Sequence, residues 1–492
     1  MSNRNVTVSR PDPESHRLSA SAMAELIRRR ELSPVRLVED LLERVAELNP
    51  HLHAFLTVAA SQARASAAQA ERRVREGGTL PPLLGVPVSV KDLEDTRGIR
   101  TTYGSTLFRD HVPERDAISV ERLRRAGAIV FGKTNTPEFG LLGETRNLLG
   151  SECRNPWDLT RTVGGSSGGA AAAVAAGLGP VALGSDGAGS VVAPAAMCGV
   201  LGMKATRGRV PYDVTEPHSS LYADVGVLGW EIEDLALLFE VMSGPDARDP
   251  LSLREPVSPL VAACRRSPQG LRVAASVDLG HFPVDKAVAN AVAVAATSLA
   301  EQGVAVTWDN PDVPNPWPLY DPVFLAETWD SLGQLAQRSP DAFVADARAE
   351  IEAGKPVTAG EVIRALDGWW RFRWQVEEFF TRYDALLMPV VATPAFPLGR
   401  PPAEIGGRAV RPHWTTFMPF PVAWNMAGVP EISVPFGATA EGLPLGVLVV
   451  TGRGREDLAL TVAAAIDRSC PPPRSPGLAD LPSRREDEAL WS

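Results

Sequence analysis

The chain of 492 residues is poor in the residues that build disulfide frameworks, metal centres and histidine-based catalysis. Its four cysteines, Cys153, Cys198, Cys264 and Cys470, stand far apart, with no CxxC pair and no Cys/His pair at zinc-ligand spacing. A chain this long buries enough core to fold without disulfides, so Cys198, inside the apolar stretch AAMCGV, reads as a buried, reduced thiol. The seven histidines are just as dispersed. His51 and His53 come closest to a pair, but i, i+2 spacing does not bring two side chains onto one helical face. A histidine triad, a metal site and a bound cofactor are therefore not expected.

A basic surplus is also missing. Lys and Arg total 49 against 59 Asp and Glu, a formal charge of -10, which argues against a nucleic-acid partner. Arg28-Arg29-Arg30 falls within a helical pattern and reads as a solvated face. The Ala-rich stretch 170–183 is too short and too interrupted by glycine to span a membrane. The polar opening MSNRNVTVSRPDPESH lacks the apolar segment of a signal peptide. These absences lead to the expectation of a cytoplasmic protein without a membrane partner. They leave the oligomeric state open, a homo-oligomer included.

What is present is an alternation of helical and strand patterns. Ser33-Pro34 has the form of an N-cap followed by Pro at the first helical position, and Leu37, Val38, Leu41, Leu42, Val45 and Leu48 then recur at helical spacing. A second helix is expected over 58–76, ended by Gly77-Gly78. LLGVPVSV (83–90) reads as a buried strand that delivers Lys91 at its end, and Asp116 as the cap of a helix running to Ala126. Strands are expected at 128–131, 181–184 and 446–450, which together give an α/β protein with a mixed sheet flanked by helices. The expected organisation is a polar segment over 1–17, a domain over 18–470 and a Pro- and charge-rich tail over 471–492. Within the domain, about 307–375 reads as a mostly helical subregion. It holds six of the eleven tryptophans, for which core packing is favoured over lining a pocket.

Three segments carry chemistry together. Lys91 ends an apolar strand; GGSSGG (164–169) precedes an Ala-rich helix; GSDGAGS (184–190) presents Ser190 behind several small residues. GGSSGG lacks the Gly-Lys-Ser/Thr ending of a nucleotide-binding loop. A serine in a loop of small residues can have several backbone N–H groups converging near its hydroxyl, as acyl transfer requires.

With GVPVSVKD (85–92), GKTNTPEFG (132–140), NPWD (155–158), PAAMCGVLGMKATRGRV (194–210) and AGVPEISVPFG (427–437), these segments resemble the amidase signature hydrolases from about residue 18 to 468. The order is the family's, as is the 24-residue separation of Ser166 from Ser190. The resemblance implies the amidase signature fold, with Ser190 as nucleophile, Ser166 as bridging serine at a cis peptide, and Lys91 as base. The amides of Gly187, Ala188, Gly189 and Ser190 become candidates for an oxyanion hole, and Ser167 and Asp186 become supporting hydrogen-bonding residues. A buried, neutral lysine has the chemistry for this role, because desolvation lowers its pKa and a serine can both donate and accept.

The departures concern the nucleophile loop. Ala188 stands where the family usually has glycine, so negative φ is expected there, with Gly187 absorbing the difference. Val192 stands where the family commonly has arginine, which leaves Asp186 to find a partner such as Arg207 or Arg209. That loss argues against acidic substrates and for a neutral small-molecule amide or carbamate, with Val192, Leu141 and Leu142 as candidate pocket residues. The chain is similar to bacterial amidases that accept bulky amides and to metagenomic urethanases. Two alternatives stay open: the amidase-type subunit of a glutamine-dependent tRNA amidotransferase, and a non-catalytic binding protein on the same fold.

Overall fold

The computed structural model describes residues 15–212 and 221–470. The C-terminal segment 471–492 and most of the expected N-terminal segment lie outside the described residues.

Eleven strands form one mixed sheet: β1 (Phe55–Val58), β2 (Pro87–Lys91), β3 (Ile129–Thr134), β4 (Val181–Asp186), β5 (Leu201–Lys204), β6 (Asp224–Gly229), β7 (Arg272–Ala275), β8 (Ala305–Trp308), β9 (Ala385–Pro389), β10 (Glu431–Ala438) and β11 (Pro444–Val450). Their order is β1-β3-β2-β4-β6-β5-β10-β11-β9-β7-β8. The expected α/β architecture is thus the one the chain adopts. Strands β3, β2 and β4 run parallel, while β4 pairs antiparallel with β6.

Both faces of the central strands are buried, which explains why they read as near-continuous apolar runs, whereas the edge strand β8 is mostly exposed. Alternate residues divide between the faces. Val181, Leu183, Val225, Val227, Val447 and Val449 join one extended core, whereas Ala182, Leu228, Leu448 and Val450 point to the other side. On that other side the core is split into two clusters, and the helix Val192–Cys198 contributes to both.

Local chemistry accounts for the helix boundaries. Ser33 caps the helix Pro34–Leu52 by accepting from the Arg36 amide. The helix Ala60–Glu76 stops at Gly77, whose φ of 77° suits glycine. Asp116 does not cap its helix, correcting the expectation. Ala117 occupies that position in Ile118–Arg125, because the Asp116 carboxylate is taken by Arg124 at 2.8 Å and by the Arg97 amide at 2.7 Å.

The tryptophan-rich stretch contains the α-helices Trp317–Arg338, Ala345–Ala353 and Ala359–Arg382. Its tryptophans do not form one core. Trp317 is buried and Trp369 donates to the Met426 carbonyl at 2.6 Å, but Trp308, Trp370 and Trp374 are more than half exposed. The first two helices instead pack Leu332, Ala336, Ala347 and Ile351 against Leu93, Phe139, Leu141 and Leu142. This brings the subregion up against the end of β2.

Candidate active site

Strands β2 and β4 are parallel neighbours, with Val90 opposite Leu183, so both finish at the same edge of the sheet. That register sets Lys91, the last residue of β2, beside Ser185 near the end of β4. C-terminal ends of parallel strands are where open α/β sheets collect their ligands. Lys91 is fully buried, and its Nζ forms hydrogen bonds with Ser166 Oγ at 2.7 Å and with the Ser185 carbonyl at 3.1 Å.

Ser166 belongs to the tight turn that leads into the helix Gly168–Ala175, and the Gly165–Ser166 peptide is cis. The turn needs its small residues. A Cβ on Gly169 would lie 2.3 Å from the Asn135 amide nitrogen, so only glycine allows the backbones to approach this closely. Ser167 supports the neighbouring loop: its amide donates to the Ser190 carbonyl at 2.9 Å and its hydroxyl to the Ser185 carbonyl at 3.2 Å.

Ser190 is half-buried and lines the same cavity as Ser166, Ser185, Gly187 and Ala188. Among the described residues, no hydrogen bond joins Ser166 Oγ directly to Ser190 Oγ. The lysine-to-serine link is therefore formed, while the second serine stands at the open side of the site.

Electrostatics at Lys91 are dominated by burial, which pushes its pKa down from 10.5 to about 7 against the pull of Asp186 and Glu94. An amine in this range is substantially neutral at ordinary pH and can take a proton.

The loop that precedes Ser190 corrects three expectations. Asp186 pairs with neither Arg207 nor Arg209. Its carboxylate accepts from the amides of Gly189 and Val191, each at 2.6 Å, and of Val192 at 3.3 Å. The two arginines serve other carboxylates, Asp224 at 3.0 Å and Glu456 at 3.2 Å. Second, because the Gly189 amide is engaged by Asp186, it is not aimed at a substrate. Among the described residues the amides of Gly187, Ala188 and Ser190 meet no protein acceptor. Third, Gly189 and not Gly187 carries the left-handed backbone, with φ of 106°.

Val192 does not line the cavity. It is fully buried at the first turn of its helix, in the core cluster that holds Ala196 and Met197. Leu141 and Leu142 do line the cavity, beside Phe139 and Gly140. The facing wall was not read from the sequence. Tyr320, Phe324, Glu327, Thr328, Ser331 and Leu332 recur at helical spacing along Trp317–Arg338, and Trp414 and Met418 complete it. That spacing was the available signal, masked by the polar members of the stripe.

The sequence profile of the Amidase family matches residues 36–460. The chain belongs to the amidase signature family. This amidase signature hydrolase is 37% identical to an acylamidase of Rhodococcus erythropolis over 456 residues, covering 91% of this chain and 94% of that protein. It is 33% identical to a glutamyl-tRNA(Gln) amidotransferase subunit of Roseiflexus sp. (strain RS-1), covering 92% and 96%. Among solved structures, a bacterial aryl acylamidase of the amidase signature family superposes with a TM-score of 0.86 at 28% identity, covering 92% of this chain and 96% of that one. The amidase signature fold and amide hydrolysis as its chemistry therefore rest on nearly the whole chain. No described helix is long and apolar enough to cross a membrane.

Proposed function

We propose that the protein cleaves the C–N bond of small acyl amides, and of carbamates, through an acyl-enzyme on Ser190. The observation that carries this reading is the 2.7 Å hydrogen bond between the fully buried Lys91 and Ser166, at the rim of a cavity that Ser190 also lines.

A serine hydroxyl is a weak nucleophile until a neighbour removes its proton. In this scheme Ser166 accepts the Ser190 proton as it passes its own to neutral Lys91, and Ser190 Oγ attacks the carbonyl carbon. The developing oxyanion is met by the amides of Gly187, Ala188 and Ser190. Lys91 then returns the proton through Ser166 to the departing nitrogen, which leaves as a neutral amine. Water, activated by the same relay, hydrolyses the acyl-enzyme. With a carbamate the released acid is a carbonate monoester, which breaks down to an alcohol and carbon dioxide. Esters, whose leaving group needs less help from the proton, are expected side substrates. Asp186 and Ser167 support the loop rather than react.

The substrate class follows from the walls. Leu141, Leu142 and Phe139 face a bulky apolar group, and no described cavity-lining residue is Lys, Arg or His. A carboxylate-bearing substrate such as glutamine finds no cationic partner there. This weighs against the amidotransferase reading, which the 33% identity to such a protein otherwise favours. Mass-spectrometric turnover of anilides, aliphatic amides, carbamates, esters and glutamine distinguishes the readings. Anilide or carbamate cleavage, together with labelling of Ser190 by a fluorophosphonate, is the expected result. Anilide turnover that survives in Ser190→Ala would overturn the nucleophile, and glutamine as the one substrate cleaved would favour the amidotransferase reading.

A further inference from the structure

The cavity has two unlike walls. On one side Phe139, Leu141 and Leu142 offer carbon. On the other, the helix Trp317–Arg338 presents Tyr320 and Thr328, about two turns apart and only 2% and 6% exposed. Tyr320 is fixed by its neighbours, edge-on to Trp317 at 5.6 Å and stacked with Phe324 at 5.3 Å between ring centroids. Among the described residues, no protein group forms a hydrogen bond with the Tyr320 phenol or the Thr328 hydroxyl. Helical threonines commonly turn back to the carbonyl four residues earlier, as Thr297 does to Ala293 and Thr461 to Asp457. Thr328 does not. Neither oxygen is sealed within protein, in contrast to the unpartnered hydroxyls of Ser89 and Ser119, so each is open to the cavity that its side chain lines.

We propose that Tyr320 and Thr328 are specificity-determining residues that donate hydrogen bonds to a neutral acceptor, a carbonyl oxygen above all, carried by the substrate away from the scissile bond. The inference rests on the amide-hydrolase reading above and deepens it: the substrate is apolar toward Leu141 and Leu142 and hydrogen-bonding toward the helix. A substrate that fills this space displaces solvent. It then supplies the partner itself or leaves buried hydroxyls unpaired, which is costly. Tyr320 is suited to donate, because burial, with Glu327 adding to it, raises its pKa well above the usual value and keeps the phenol neutral. Two neutral donors suit a dipolar oxygen better than a carboxylate, whose charge would meet no Lys, Arg or His among the described lining residues.

The test compares kcat/KM within two pairs of anilides that differ only by C=O in place of C=CH₂. One pair, 4-(2-oxopropyl)acetanilide and 4-(2-methylallyl)acetanilide, carries the group on the ring. The other, the anilides of 5-oxohexanoic and 5-methylhex-5-enoic acids, carries it on the acyl side. In at least one pair the wild type should favour the ketone by about fivefold. Tyr320→Phe and Thr328→Val each remove a hydroxyl at nearly constant shape. The double variant should bring that ratio to about one, chiefly by slowing the ketone. The wild-type ranking stands on its own should the double variant fold poorly. A ketone no faster than its alkene in both pairs, or a preference that the double variant keeps, would overturn the inference while amide hydrolysis stood. Cleavage of none of the four anilides would overturn the proposed function itself, and this inference with it.

Discussion

Lys91 Nζ and Ser166 Oγ lie 2.7 Å apart, with the lysine fully buried and the serine at the wall of the cavity. Burial lowers the Lys91 pKa to about 7, so the relay changes protonation state near neutrality. Below that value the base is occupied by a proton; above it the lone pair is available. For a neutral anilide, kcat/KM should rise tenfold per pH unit on the acid side and level off above about pH 7–8. A profile flat from pH 5 to 9 would remove Lys91 as the base.

The same desolvation burdens the fold. The unfolded chain keeps Lys91 protonated up to about 10.5, whereas the native state releases the proton near 7. Between those values the unfolded state binds more protons, so this group's contribution to stability improves as pH rises through the window and is worst below 7. Lys91→Met, similar in shape and uncharged, should therefore melt higher than the wild type at pH 6, with the gap closing toward pH 10. It should also lose about 10²–10⁴-fold in kcat. Thermal denaturation at both pH values, beside anilide assays, checks this, and a variant less stable at pH 6 contradicts it.

How much of this was readable beforehand depended on the range of the interaction. Strand β2 and the start of Pro34–Leu52 were legible because their signals are local: an unbroken apolar run, and a Ser-Pro cap. The approach of Lys91 to Ser166, and of Ser190 to the same cavity, was legible through ordered motifs. Asp186 was assigned an arginine because charge invites a charge partner, yet three backbone amides of its own loop satisfy it, and a loop's curl is not written in residue type. Asp116 failed as a cap for the converse reason, its carboxylate being captured by Arg124. The wall formed by Trp317–Arg338 escaped because Glu327, Thr328 and Ser331 interrupt its apolar stripe and Pro322 lies inside the helix.

Asp186 predicts a variant that damages both stability and catalysis. Its two oxygens gather the amides of Gly189, Val191 and Val192, which sets the path of the chain on both sides of Ser190. Asp186→Asn replaces one acceptor by an N–H₂ group that faces an N–H. The loss should be about 1–3 kcal/mol in denaturant unfolding. kcat should fall about 10²-fold or more as the loop amides lose alignment, with a smaller change in KM. Wild-type kcat in Asp186→Asn would show that the loop holds its course without the carboxylate.

Adjacent positions in that loop should respond unequally to changes of one methyl group. Gly189 has φ of 106°, and a Cβ there would sit 2.7 Å from the Pro421 side chain. Gly189→Ala thus combines backbone strain with overlap and should cost about 1–3 kcal/mol, with a matching loss of activity. Ala188 has no positive φ, so Ala188→Gly mainly loosens the unfolded chain, at a cost of about 1 kcal/mol or less. Equal unfolding midpoints for the two variants would contradict this contrast.

Val192→Arg separates a pocket role from a packing role. The sequence alone offers Val192 as a pocket residue whose uncharged side chain argues against acidic substrates. The side chain is instead fully buried beside Ala196 and Met197. A guanidinium forced into that cluster has no carboxylate to meet, since both Asp186 oxygens already hold backbone amides. Removing such a charge from water without a partner costs several kcal/mol, about 3–5 for a broken buried pair. Val192→Arg should therefore lower the melting temperature and the yield of soluble protein, and reduce kcat/KM for neutral, cationic and acidic anilides alike. A stable variant that gains activity on the carboxylate-bearing substrate would instead mean that the helix turns its first residue toward the cavity, and that position 192 governs selectivity.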